Sequence, residues 1–227
     1  MRKALVGVGV LLLLLLVADR VGKEVAERVL ADQVDAELST RPDVRIGGFP
    51  FLTQALSGTY DEIEISGTGL RQPIAAVTSF RAVLEGAQVP LSDALGGNVS
   101  AVPVDRVAGT VVLGLSEVAA ETGQDVRIEA EGDRLRVSGT IALAGQQLAV
   151  SALSEVVLDG ETLAIRAEEI QINGEVGSGP VLDAARDLLD LQVPLAGLPY
   201  DLRLTDVTVS GDGLRVSAAA RGVRLTR

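Results

Sequence analysis

Two hydrophobic periods follow one another along this chain. After an uncharged run from Ala4 to Ala18, apolar residues recur at helical spacing: Val21, Val25, Val29 and Ala36 form a stripe flanked by Ala26 and Leu30, while Lys23, Glu24, Glu27 and Asp35 face away. The spacing predicts a helix over residues 19–39 with its valine stripe against a core. From Val44 onward the period is two. "YDEIEIS" sets Ile63 and Ile65 on one face and Glu62 and Glu64 on the other. Further strands are predicted around 79–89, 102–113, 126–130, 135–143, 147–153, 156–158, 162–172, 200–210 and 214–225. Turn signals at Gly132-Asp133, Ala144-Gly145, Asp159-Gly160 and Gly211-Asp212-Gly213 separate them. Strands joined this tightly run antiparallel, so the expected topology is a meander.

Three helical segments interrupt the strands. "FLTQALS" places Phe51, Leu52, Ala55 and Leu56 on one face and ends at Gly58, a residue suited to a left-handed C-terminal position. "SEVAAETG" opens on Ser116 as N-cap and closes at Gly123. "PVLDAARDLLDL" opens on Pro180 and carries Val181, Leu182, Ala184, Ala185, Leu188, Leu189 and Leu191 over half its circumference. The predicted fold class is α+β, with one domain over 19–227 and no linker.

Residues 1–18 stand apart from that domain. Arg2 and Lys3 precede fifteen uncharged residues, the pattern of an export signal and shorter than the roughly 20 that a spanning helix needs. Cutting after Ala18 would put Leu16 where a small residue is preferred, so the segment reads either as a signal peptide or as an uncleaved membrane anchor. In both cases the remainder is exported to the outer side of the cytoplasmic membrane or a periplasm-like space.

Composition narrows the chemistry. A chain of 227 residues buries enough surface to need no staple. With no Cys, no His, and Lys only at Lys3 and Lys23, it cannot assemble a Ser-His-Asp or Cys-His nucleophile or a His-ligated zinc site. Phosphate-binding and dinucleotide-binding glycine loops are also missing, and no cofactor is implied. The carboxylate pairs Glu62/Glu64 and Glu168/Glu169 read as solvated strand faces; a carboxylate hydrolase remains a rival to the non-enzymatic reading. The net charge of −11 disfavours nucleic acid and adsorption to anionic membranes. What remains is aliphatic surplus. "TIALAGQQLAVSAL" and "LRVSAAARGV" carry small apolar residues on both parities, as a sheet curved around an apolar lumen or covered by helices would. A sixteen-carbon acyl chain in such a lumen contributes on the order of 10 kcal/mol, at about 0.8 per CH₂, so lipid binding needs no polar motif.

Aromatics are scarce, yet Phe49, Phe51 and Tyr60 gather in "GGFPFLTQALSGTY". Within "VRIGGFPFLTQALSGTYDEIEISGTGL", residues Gly48, Phe49, Pro50, Phe51, Leu52, Thr53, Gln54, Gly58 and Tyr60 match in order the hallmark of the actinobacterial LmeA-like phospholipid-binding family, which this chain resembles. The resemblance implies an exported cell-envelope protein with a TULIP-like fold: a twisted antiparallel sheet wrapped around amphipathic helices, with an apolar tunnel for phospholipid. It also implies a non-catalytic lipid carrier or sensor, in a family linked to mannan elongation on lipomannan. Lining candidates are Phe49, Phe51, Leu52, Leu56, Ile63, Ile65 and Phe80, with Leu182, Leu188 and Leu189 from the Pro180 helix. The phospholipid head group and any protein partner stay open, and the membrane is met through the N-terminal segment. The other rival is a structural or partner-binding envelope protein with a solid β core.

Overall fold

A computed structural model describes residues 2–38, 42–71, 76–96, 101–143, 145–160, 162–194 and 199–226. Contacts divide the chain into two compact units, each assembled from separated stretches: 1–67, 81–108 and 220–227 in the first, 68–80 and 109–219 in the second.

The first unit contains helix α1 (Arg2–Leu38), strand β1 (Asp43–Ile46), helix α2 (Phe51–Ser57), most of β2 (Thr59–Arg71), the later part of β3 (Ala76–Gln88), helix α3 (Leu91–Gly96) and the start of β4 (Ala101–Leu113). β1 pairs antiparallel with β2, bringing Val44 opposite Ile65 and Ile46 opposite Ile63. The alternation read from "YDEIEIS" therefore faces a second apolar pair in β1. Helix α3 was not expected from the pattern.

The second unit contains α4 (Leu115–Glu121), β5 (Val126–Glu131), β6 (Arg134–Leu143), β7 (Gln146–Asp159), β8 (Thr162–Ile172), β9 (Glu175–Val176), α5 (Pro180–Leu189), β10 (Leu191–Pro194), a 3-10 turn over Pro199–Asp201, β11 (Arg203–Ser210) and the first half of β12 (Gly213–Thr226), whose later half belongs to the first unit. β5 to β8 form the expected antiparallel meander, with β10 beside β8. The other sheet has the order β1-β2-β3-β4-β12-β11, so the simple meander is broken where β12 lies next to β4. The class is mixed α+β, and neither sheet closes on itself.

Burial explains where the pattern was read well. Leu135 and Val137 of β6, Val150 and Ala152 of β7, and Leu163 and Ile165 of β8 build the core of the second unit, and Ala185 and Leu189 of α5 join it. Two differences have local causes. The expected break after residue 153 is absent because β7 is one strand; a register shift between Leu153 and Ser154, opposite Glu169 and Ala167, spoils the alternation instead. Leu191 is not on the helix, which stops at Leu189. Asp190 has extended backbone and accepts the Ala167 N–H at 2.7 Å, turning the chain into β10. At α4 the N-cap is Gly114, and Ser116 lies inside the helix, donating to Glu117 Oε2 at 2.8 Å.

Candidate functional site

The "GGFPFLTQALSGTY" segment folds as a lock between β1, α2 and β2. Gly47 N–H donates to Glu62 O at 2.8 Å, extending the β1–β2 ladder by one step. Gly48 then turns with φ +80°, and a Cβ there would run into the Asp61 and Gln54 side chains. The Phe49–Pro50 peptide is cis. Pro50 occupies the N-cap of α2 and has no side-chain polar atom to satisfy the first-turn amides. A residue far away does so. Asp19 of α1, only 4% exposed, accepts the Leu52 N–H on Oδ1 at 2.8 Å.

Gln54 holds the other side. Its Nε2 donates to Gly47 O at 3.0 Å and its Oε1 accepts from Asp61 N–H at 2.8 Å, so one buried amide ties the loop to β2. α2 ends at Gly58 in the left-handed region, where its N–H reaches Gln54 O at 2.8 Å and its carbonyl accepts Val89 N–H at 2.8 Å. Phe51 is buried, with its ring 6.4 Å from that of Tyr60 and tilted by 38°. Burial pushes the Tyr60 phenol above its usual pKa.

This lock turns α1 over relative to the expected orientation. Val21, Val25 and Val29 are about half exposed, whereas Asp19 is buried and Gly22, Lys23, Ala26, Glu27 and Leu30 are half-buried or better covered than the valines. Ile46, in edge strand β1, donates its N–H to Glu27 Oε1 at 2.7 Å, and Lys23 Nζ lies 3.7 Å from the same carboxylate oxygen. Gly22 faces the Phe51 ring, which an added Cβ would meet at 3.5 Å, an ordinary van der Waals distance. The docked face of α1 is thus the one carrying two acceptors for orphan backbone donors, and the apolar stripe is left outside. The helix also runs unbroken from Arg2, through the Ala18–Asp19 boundary. Among the described residues no helix is long and apolar enough to cross a membrane.

The ten lipid-lining candidates fall into two groups, one in each unit. In the first unit Phe51 and Ile63 are buried, and Leu52 and Ile65 are half-buried. Leu56 does not share the Phe51 and Ala55 face of α2: it is 77% exposed, and Phe49 is 62% exposed. A helix of seven residues buries only the part of its circumference that meets α1 and β2, and Gln54, not Leu56, completes that part. In the second unit Leu189 lies fully inside the core, and Phe80, Leu182 and Leu188 pack partly buried against it.

Three open depressions of about 510, 570 and 450 Å³ mark the second unit. Their linings mix polar and apolar side chains: Asp159, Arg166 and Asp190 with Ile165 and Leu191 in the first, Arg127, Ser138 and Asn173 with Val126 and Val150 in the second, Arg134, Glu155 and Glu168 with Val156, Val207 and Val209 in the third. None of the ten candidates lines them. Three of the four carboxylates singled out in sequence serve ion pairs: Glu64 with Arg81 at 2.7 Å, and Glu168 and Glu169 with Arg134 at 3.2 and 3.3 Å. Glu131 is held below its ordinary pKa chiefly by hydrogen bonds from Arg136, at 2.5 and 3.0 Å. Among the described residues no group of three or more acidic side chains could hold a metal ion. Ser154 is fully buried in the second core with its Oγ unpartnered.

Sequence reasoning missed Asp19, Glu27 and Gln54 as the holders of the motif. A signal for Asp19 was present: proline at a helix N-cap position leaves the next amides needing an acceptor from elsewhere.

Comparison with known proteins gives one positive finding. The model of a family described as LmeA-like phospholipid-binding matches residues 17–219. No curated protein and no solved structure matches the chain.

Proposed function

The chain belongs to the LmeA-like phospholipid-binding family, and from that premise we propose that it is a non-catalytic phospholipid carrier or sensor of the cell envelope, working on the outer side of the cytoplasmic membrane. The observation that carries this reading is the family match, which runs from the end of the apolar N-terminal run almost to the end of the chain. The first eighteen residues direct export and bring the protein to the membrane. Acyl chains lie in an apolar groove of a TULIP-like fold, in which antiparallel sheet curves around helices. The long strands β7, β8 and β12, of 14, 11 and 14 residues, supply the sheet such a fold needs. Candidate wall residues are Phe51, Leu52, Ile63 and Ile65 within the first unit and, separately, Phe80, Leu182, Leu188 and Leu189 within the second, while Phe49 and Leu56 are exposed at the surface of the first. No polar recognition is required for affinity, since acyl burial alone contributes about 0.8 kcal/mol per CH₂.

Native mass spectrometry of the purified chain, followed by extraction and identification of bound lipid, tests this. Phospholipid is expected in the folded species, and transfer of labelled phospholipid between vesicles is expected in its presence. A lipid-free folded protein that neither extracts nor transfers phospholipid refutes the reading and leaves a structural or partner-binding role.

A further inference from the structure

Exposed apolar surface is concentrated in one place. Among the described residues, the large apolar side chains left in solvent are the α1 run Leu12–Val17, then Val21, Val25 and Val29, then Phe49 and Leu56 next to α2; the second unit contributes only Val176 and Tyr200. At about 100° per residue, Leu14, Val21, Val25 and Val29 share one stripe, roughly 22 Å long at 1.5 Å rise per residue. The opposite side of α1 is already engaged, through Asp19 with α2 and Glu27 with β1. The stripe is therefore not core that a small rotation of the helix would cover. Turning α1 to bury it would strip the Leu52 and Ile46 amides of their acceptors.

We propose that this stripe docks on a phospholipid bilayer surface, with α1 lying along the boundary between head groups and acyl chains as far as Val29. Three observations select a bilayer as the occupant. The stripe continues without a helix break into the uncharged run Ala4–Ala18, so membrane contact begun there extends three turns into the folded unit. Arg28, paired with Glu24 at 2.5 Å, lies along one edge of the stripe, where a long cationic side chain reaches head-group phosphates while its stem stays apolar. A second copy is disfavoured by the spacing. A heptad seam through Leu14, Ala18, Val21 and Val25 would next place Arg28 and Asp32 at its centre. The proposal uses the lipid-binding reading only for the presence of a bilayer, and it concerns a surface helix, not the acyl groove.

The chain has no cysteine, which makes the test direct. Full-length Val25→Cys, Val29→Cys and, as a control in a second-unit turn, Asp212→Cys are each labelled with an environment-sensitive fluorophore and mixed with phosphatidylcholine vesicles, with or without nitroxide-bearing lipid. At positions 25 and 29 the expected result is a blue shift, a several-fold loss of iodide quenching, and quenching by the nitroxide lipid; position 212 should show none of these. Unchanged iodide access at 25 and 29 in the presence of vesicles overturns the proposal. So does protection that appears without vesicles and grows with protein concentration, which would identify a second copy as the occupant. Absence of co-purified lipid refutes the carrier reading but leaves these quenching results to stand or fall separately.

Discussion

Replacing Gln54 separates the part of the family motif that holds the fold from the part that faces outward. In Gln54→Ala the Gly47 carbonyl and the Asp61 N–H both lose their partner, at 3.0 and 2.8 Å in the native protein. An unsatisfied buried group costs about 1–3 kcal/mol, and the site is only partly buried at its ends, so the loss should total about 2–4 kcal/mol. For a chain of this size, that corresponds to a fall in Tm of roughly 5–15 °C. Gln54→Glu keeps an acceptor for Asp61 but points a second oxygen at the Gly47 carbonyl. Its carboxyl should titrate above the ordinary Glu range, because only the protonated form can donate there. Stability of that variant is then greatest below the unfolded-state pKa and declines as pH rises through the raised folded-state value. Thermal and urea denaturation followed by circular dichroism read both effects. Leu56→Ala is the control: a side chain 77% exposed should change stability by no more than about 0.5 kcal/mol. A Gln54→Ala variant as stable as the native chain, or a Leu56→Ala variant as weak as Gln54→Ala, refutes the division into lock and surface.

Asp19→Ala should cost about 1–3 kcal/mol by removing the acceptor of the Leu52 amide, with faster hydrogen exchange at Leu52 as the specific readout and partial recovery in Asp19→Asn. Phe51→Ala should cost about 3–5 kcal/mol, since the ring is buried between Gly22 and Tyr60; denaturant midpoints measure it. Arg136→Gln should let the Glu131 carboxyl return upward toward its ordinary pKa, followed by NMR pH titration. The native contribution of Glu131, whose pKa is lowered, is present above the unfolded-state value and is lost as pH falls through the folded-state one. Ser154→Ala should raise stability by about 1 kcal/mol, because it deletes a buried hydroxyl that has no partner; a fall in the denaturation midpoint instead would show that the hydroxyl is bonded in solution.

The strands were legible because their alternation and the packing agree. Leu135 and Val137 face inward with Val150 and Ala152, and the turns at Gly132-Asp133 and Asp159-Gly160 fix which strands meet. α5 was legible for the same reason, its apolar half being the half that reaches the core. What sequence could not show depends on pairs far apart. Asp19 and Leu52 are separated by 33 residues: Pro50 at the N-cap announces that the Leu52 amide needs an acceptor from elsewhere, but nothing local says which residue supplies it. Gln54 lies on the inward face of α2, where a reading by hydrophobicity prefers Leu56; only the positions of Gly47 and Asp61 make an amide the better fit. The place of β12 beside β4 is likewise a choice between strands far apart in sequence, with β5 to β10 of the other sheet lying between them along the chain.

The inversion of α1 shows which force decided its orientation. Turning the valine stripe inward would cover three side chains now about half exposed. At about 1.5–3 kcal/mol for burying a whole side chain of this kind, the remaining halves are worth about 3 kcal/mol together. Turning it inward would also strip two backbone amides of charged acceptors, at about 1.5–3 kcal/mol each. The two sides are of similar size, with the hydrogen bonds equal or ahead, and the protein adopts the arrangement in which the Leu52 and Ile46 amides keep their acceptors. The consequence is that about 3 kcal/mol of apolar burial stays unclaimed on a helix continuous with the uncharged run Ala4–Ala18. At 1.4 kcal/mol per tenfold, that is on the order of a hundredfold in affinity for whatever covers the stripe. A helix that gives its polar side to the fold thus leaves its apolar side exposed, and that exposed side is what the proposed bilayer contact would cover.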